Sequence, residues 1–217
     1  MTPAPSARAI GRRLGKLLAR ERELWASGLE RIAGVDEVGV GPLAGPVVAA
    51  AVVFPPGEGI RGVDDSKKLT RERREELAVA IRERALCIAV AVVEVEEIDR
   101  VNIYQATLAA MRRALEALPC APQHVLVDGR RIPDCGFPQE ALVKGDARCH
   151  AIAAASIVAK TTRDAVMLRY EDEFPGYGFA VHKGYSTEVH REAIRRLGPC
   201  PIHRRSFTLL RPPTLFD

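Results

Sequence analysis

The sequence predicts an α/β fold built on one mixed sheet, antiparallel in its first half and parallel in its second. Three observations carry this. Two apolar, strand-like segments, around 32–38 and 47–54, flank a turn made of Gly39, Gly41, Pro42, Gly45 and Pro46. A third apolar, β-branched run at 85–95 follows closely, which implies an antiparallel meander. Beyond residue 102, helical and strand-like segments alternate, and that order implies parallel pairing through right-handed crossovers. A chain of 217 residues can bury a sizeable core as one domain.

Composition narrows the class. Hydrophobic residues make up 47% and charged residues 28%, ordinary for a soluble globular chain. The net charge of +4 is a mild bias toward a polyanionic partner. The five cysteines (Cys87, Cys120, Cys135, Cys149 and Cys200) are odd in number, scattered and free of any Cys-x-x-Cys pair. Neither a zinc site nor a disulfide framework is therefore expected, and a reducing compartment fits. No apolar run approaches the ~20 residues needed to span a bilayer. The first residues carry no signal-peptide core, so the cytoplasm is the expected location.

In chain order, residues 1–28 form a basic N-terminal extension in which Ile10, Leu14, Leu17, Leu18 and Leu24 recur at helical spacing. An amphipathic helix packed on the domain is expected there; a basic arm touching phosphates is the alternative. Residues 29–210 are expected to form the main domain, and 211–217 a Pro-rich tail. Asp65, Ser66, Lys67 and Lys68 precede an Arg- and Glu-rich helix at 70–84. Asn102 is a plausible N-cap for a helix at 103–118 that stops before Pro119. On that helix Ile103, Thr107, Met111, Ala114 and Leu118 line one face, which reads as core packing. Short strands at 124–127 and 141–143 run into Asp128-Gly129 and Lys144-Gly145-Asp146. A long Ala-rich helix at 148–174 follows, and a last helix ends near 197.

Four acids stand out. Asp36 and Glu37 end the first strand, where an unpaired buried carboxylate would cost several kcal/mol. Asp128 and Asp146 end later strands, and every one of the four has glycine nearby. An all-oxygen set without His or Cys matches a hard cation, Mg²⁺ or Mn²⁺. Four carboxylates carry more charge than one such ion neutralises, which suits two ions ~3.5–4 Å apart on a phosphodiester. A lone Asp-Gly would read as a turn; the set in order reads as a site.

The same residues carry a resemblance. Asp36-Glu37-x-Gly-x-Gly-Pro-Leu-Ala-Gly-Pro and the Val/Ala run after it resemble the opening motif of ribonuclease HII, the type 2 ribonucleases H. Residues 98–111, 151–160, 182–185 and 203–207 resemble further segments of that family, so the likeness spans about 32–207. It implies a ribonuclease H-like fold in which a C-terminal helical extension closes over the substrate. It implies Asp36, Glu37, Asp128 and Asp146 as catalytic metal ligands. Gly39, Val40 and Gly41 would offer backbone groups to a ribose 2′-hydroxyl, the group that separates RNA from DNA. Tyr185 would pack on the neighbouring sugar, Asn102 would face the nucleic acid, and Lys67, Lys144, Lys160 and Lys183 are candidate phosphate contacts. One departure stands out: most members have Gly-Arg-Gly where this chain has Gly39-Val40-Gly41.

The implied activity is metal-dependent endoribonuclease action on the RNA strand of RNA–DNA hybrids. Cutting 5′ to ribonucleotides embedded in duplex DNA is implied as well, leaving 3′-hydroxyl and 5′-phosphate ends. Rival readings are a junction resolvase of related fold, which would ignore the 2′-hydroxyl, and a non-catalytic hybrid-binding module. Four intact acids oppose the latter, since a polyanion binder gains by losing them. A monomer is expected. Leu215-Phe216 after two prolines also resembles peptides that dock on replication sliding clamps, with a frayed terminus as the plain alternative.

Overall fold

The structure, a computed structural model, describes residues 6–209. Its centre is a five-stranded sheet with strand order β3-β2-β1-β4-β5. The strands are β1 (Ile32–Val38), β2 (Val47–Val53), β3 (Cys87–Val93), β4 (His124–Asp128) and β5 (Gln139–Leu142). β1 pairs antiparallel with β2 and β2 with β3, whereas β1 with β4 and β4 with β5 are parallel. The mixed sheet expected from the strand spacing is therefore present. β2 is buried along its whole length, as its unbroken Val/Ala run requires of a central strand covered on both faces. The edge strand β3 instead alternates buried and more open positions.

Helices α1 (Ala7–Leu17), α2 (Ala19–Ala26), α3 (Arg71–Arg84), α4 (Val95–Val101), α5 (Ile103–Glu116), α6 (His150–Glu173), α7 (Phe179–His182) and α8 (Glu188–Leu197) complete the described chain. α5 packs on one face of the sheet, where Ala106, Ala110, Met111 and Ala114 meet Val35, Ala49 and Val127. α6 and α3 cover the other, with Ala153, Ala154 and Val158 against Val48, Ala50 and Val52. The small residues let α6 approach closely: a Cβ built on Gly34 of β1 would lie 2.1 Å from the Ala151 carbonyl carbon. Only glycine fits there.

Caps set the helix starts. Thr70 accepts from the Arg73 N–H, and the Asn102 side chain accepts from the Gln105 N–H at 3.1 Å, as its expected N-cap role requires. Two features depart from the sequence expectation. The third strand ends at Val93, and Val95–Val101 is a helix, with Glu94 at its N-cap and Glu96 and Glu97 in its first turn, where the helix dipole favours acids. Cys87 and Cys120 are joined by a disulfide, against the expectation of none. They lie 33 residues apart in sequence, so their approach is invisible until β3 and the end of α5 pack together.

The N-terminal extension is two helices docked on the domain. The Glu21 carboxylate is buried and accepts from the Ala151 N–H at the start of α6 at 2.8 Å. Arg13 pairs with Asp64, and Arg20 with Glu140. Desolvation holds the Glu21 carboxyl above its usual range, with the Ala151 N–H opposing it.

Candidate active site

The ends of β1 and β4 and the 3-10 turn after β5 (Gly145–Ala147) meet at one edge of the sheet. Because β1 and β4 are parallel neighbours, Asp36 and Asp128 emerge from the same end. The Gly145 N–H then donates to Asp128 Oδ1 at 2.5 Å, tying the turn that carries Asp146 to the end of β4. Three elements thus direct the four acids to one edge of the sheet.

The acids raise one another's pKa values. Desolvation, then repulsion from Glu37 and from Asp128, raises the Asp36 carboxyl well above its ordinary range, with the Ser156 hydroxyl pulling the other way. Desolvation followed by the Asp128 charge pushes Glu37 up to about 7, with Asp146 adding to it. Asp146 is raised by desolvation, then by Asp128 and Asp65. Lys67 is the cation that lowers both Glu37 and Asp146. That one exposed ammonium stands against four carboxylates. Among the described residues no three His, Cys, Asp or Glu side chains converge at metal-ligating distance. Like charges this close hold one another off, and a divalent cation is the counter-charge that an all-oxygen set of this kind fits.

Beside the acids lies the Gly39–Pro46 loop. Gly39 has φ +96°, and a Cβ on it would meet Arg163 Nε at 2.4 Å and the Pro46 carbonyl at 2.6 Å. Two fully buried arginines hold this loop by its carbonyls. Arg163 donates to Ala44, Pro46 and Lys183. Arg204 donates to Gly39, Val40 and Gly45, the first at 2.5 Å. Burial lowers both guanidinium pKa values, that of Arg204 to about 9, which three-carbonyl coordination tolerates. Among the described residues the Val40 and Gly41 N–H groups donate to nothing, so both are open to a ligand. A Cβ on Gly41 would meet nothing within 4 Å, so the fold does not demand glycine there. The sequence reading assigned no role to Arg163 and saw 203–207 only as a family-like string.

The remaining candidates divide. Val40 is 39% exposed and lines a cleft of about 400 Å³ with Glu37, Tyr104, Met111, Asp128 and Arg130. Ile103 and Thr107 also line that cleft, so they belong partly to the site and not wholly to the core. Lys144 is exposed in a left-handed turn next to Asp146. Asn102 is exposed, its Oδ1 already engaged in capping α5. Tyr185 is 41% exposed. Lys183 sits in the turn whose carbonyl Arg163 holds, and its own ammonium donates to the Ala180 carbonyl. Lys160 is half-buried and pairs with Asp164 at 2.6 Å.

The chain has relatives among known proteins. The sequence model of the family described as Ribonuclease HII matches residues 33–210. The chain is similar to a protein named ribonuclease HII from Myxococcus xanthus (strain DK1622), 57% identical over 205 residues. That alignment covers 94% of this chain and 70% of the relative. It is similar to the ribonuclease HII of Moorella thermoacetica, 55% identical over 195 residues, 90% of this chain and 95% of that one. Among solved structures it resembles the PCNA:RNase HII complex from Archaeoglobus fulgidus, with TM-score 0.70 and 29% identity, over 86% of this chain and 99% of that one.

Proposed function

The chain belongs to the ribonuclease HII family, and on that premise we propose that Asp36, Glu37, Asp128 and Asp146 are its catalytic carboxylates. The protein is an endoribonuclease that hydrolyses RNA in RNA–DNA hybrids. The observation that carries the site assignment is the meeting of four carboxylates from three elements beside a loop with two free N–H groups. The family is dependent on divalent metal; here Mg²⁺ or Mn²⁺ would be held by the four acids, as two ions during catalysis. The bound ions would supply an activated water and charge for the departing 3′-oxygen.

The chain's own residues do the rest. Asp36 is fixed by the Glu37 N–H at 2.8 Å, and Asp128 by Gly145, so both present one oxygen in a set direction. Val40 and Gly41 offer their N–H groups to the ribose 2′-oxygen, an atom that DNA lacks. Arg204 and Arg163 keep that loop in place by its carbonyls. Tyr185 supplies an exposed ring for the next sugar, and Lys67, Lys144, Lys183 and Asn102 meet phosphates and backbone. The proposed substrates include single ribonucleotides embedded in duplex DNA, cut on their 5′ side, and the enzyme acts as a monomer in the cytoplasm. Residues 29–210 form the catalytic domain, with 1–28 as its docked extension and 211–217 as the tail.

The test is a set of matched duplexes with none, one or several ribonucleotides, with the cut mapped on each. Cutting is expected only where ribose is present, leaving a 3′-hydroxyl. Equal cutting of the all-DNA duplex overturns the reading of the Gly39–Gly41 loop.

A further inference from the structure

We propose that the groove between the N-terminal helix pair and the turn carrying Asp146 is a track for the phosphate backbone of the substrate duplex, beyond the reaction centre. This rests on the ribonuclease reading above. A cluster of four carboxylates repels the polyanion it must cut, so attraction has to come from its flanks. The groove has a volume of about 700 Å³ and is walled by α1 and α2, Glu23 included, on one side and by Glu140, Leu142, Ala147 and Arg148 on the other, so its four cations outnumber its two carboxylates. Ala147, which lines the groove, belongs to the same short turn as Asp146.

Its charges are unevenly used. Arg13 is paired with Asp64, and Arg20 with Glu23 and Glu140. Lys16 and Arg148 face the same groove, are exposed, and have no carboxylate partner among the described residues. Unpaired cations on concave walls focus a positive potential where a strand of phosphates can lie. No aromatic side chain lines the groove, so it suits contact with the backbone and not with bases. Lys16 is also held on firm support. Leu17 beside it is fully buried, and α2 is anchored through Glu21 to the start of α6 and through Arg20 to β5. The backbone under such a cation is already ordered, so only the side chain has to be ordered when it meets a phosphate.

The test compares the native protein with Lys16→Ala, Arg148→Ala and the double variant. The probes are duplexes with one ribonucleotide and flanks of about 4 or about 16 base pairs on either side, roughly 14 or 54 Å at 3.4 Å per pair. Binding is read by fluorescence anisotropy in EDTA across a salt series, and the cut by gel with Mg²⁺. Native protein should bind more tightly when one flank is extended. The double variant should lose about tenfold in affinity on that long duplex, with the log–log salt slope smaller by about two, while the short duplex binds as before. Unchanged melting temperatures are expected, since both side chains are exposed. Equal losses on short and long duplexes, or no loss on either, overturn the track. If length-dependent binding follows the prediction but nothing is cut, the track stands and the activity reading falls.

Discussion

Asp128 is the residue at which charge and shape can be separated. Its Oδ1 accepts the Gly145 N–H that positions the Asp146 turn, and an asparagine oxygen can accept the same bond. Asp128→Asn should therefore keep the fold and the bound hybrid, because phosphate contacts supply most of the affinity. Cleavage should fall by roughly a thousandfold, about 4 kcal/mol of barrier. Near-normal turnover would remove Asp128 from the site. EDTA should abolish activity, Mg²⁺ or Mn²⁺ should restore it, and zinc should do so poorly in an all-oxygen site. Val40 offers a second experiment. Its side chain is exposed at the cleft and its carbonyl is held by Arg204, so a longer side chain leaves the loop's course unchanged. Val40→Arg should add one charge-assisted phosphate contact of about 1.5–3 kcal/mol. Affinity should rise, the salt slope should steepen by about one, and the cut should stay where it is. A moved cut site would show that the loop's side chain, and not its backbone, selects the ribose.

At the scale of elements, α6 joins the core to the site. Its first turn lies against β1, its start is held by Glu21, and Asp146 precedes it by one short turn. His150 is built into that start: it is 1% exposed, and its Nε2 accepts the Ile60 N–H at 3.0 Å. A ring that accepts there must be neutral, and desolvation, with Arg84 adding, lowers its pKa from 6.5 to about 4. The folded state therefore binds fewer protons than the unfolded one between those values. Stability should be full above pH 6.5 and fall as pH drops toward 4, by about 3 kcal/mol from this group. Denaturant titrations of the native protein and His150→Gln, run from pH 7 to 4.5, check this. The variant should be less stable at neutral pH but lose less on acidification; parallel curves would clear His150 of the effect.

For the whole molecule, the Cys87–Cys120 bridge closes a 33-residue separation that contains β3, α4 and α5. On the loop-entropy account such a cross-link stabilises by about 4 kcal/mol. Thiol titration in denaturant should count three free cysteines before reduction (Cys135, Cys149 and Cys200) and five after it. Reduction should lower the unfolding midpoint. Five thiols before reductant would mean that the pair is not bonded in the purified protein. The Pro-rich end, 211–217, lies outside the described residues, and its clamp-like Leu215-Phe216 belongs to the same scale. We propose that it docks on a sliding clamp. Deleting 212–217 should leave activity on short duplexes unchanged and abolish binding to purified clamp. Binding that survives Phe216→Ala ends that idea.

The sequence by itself determined the strands, most helices and the four acids, because each is written in a local pattern. An unbroken apolar, β-branched run marks a buried strand, and a cap such as Asn102 marks a helix start. Carboxylates at strand ends beside glycine are legible for the same reason, since a buried strand excludes unpaired charge. Only the tertiary structure decided which groups meet. Arg163 and Arg204 look like surface cations in a linear reading, yet they are buried on loop carbonyls, the one 117 and the other 159 residues away. The disulfide, the docking of α2 through Glu21, and the groove between α1 and Arg148 also arise from approaches across long separations in the chain. No local period encodes such approaches; they follow from burying both faces of the sheet, which draws distant segments together and leaves their polar groups to find partners there.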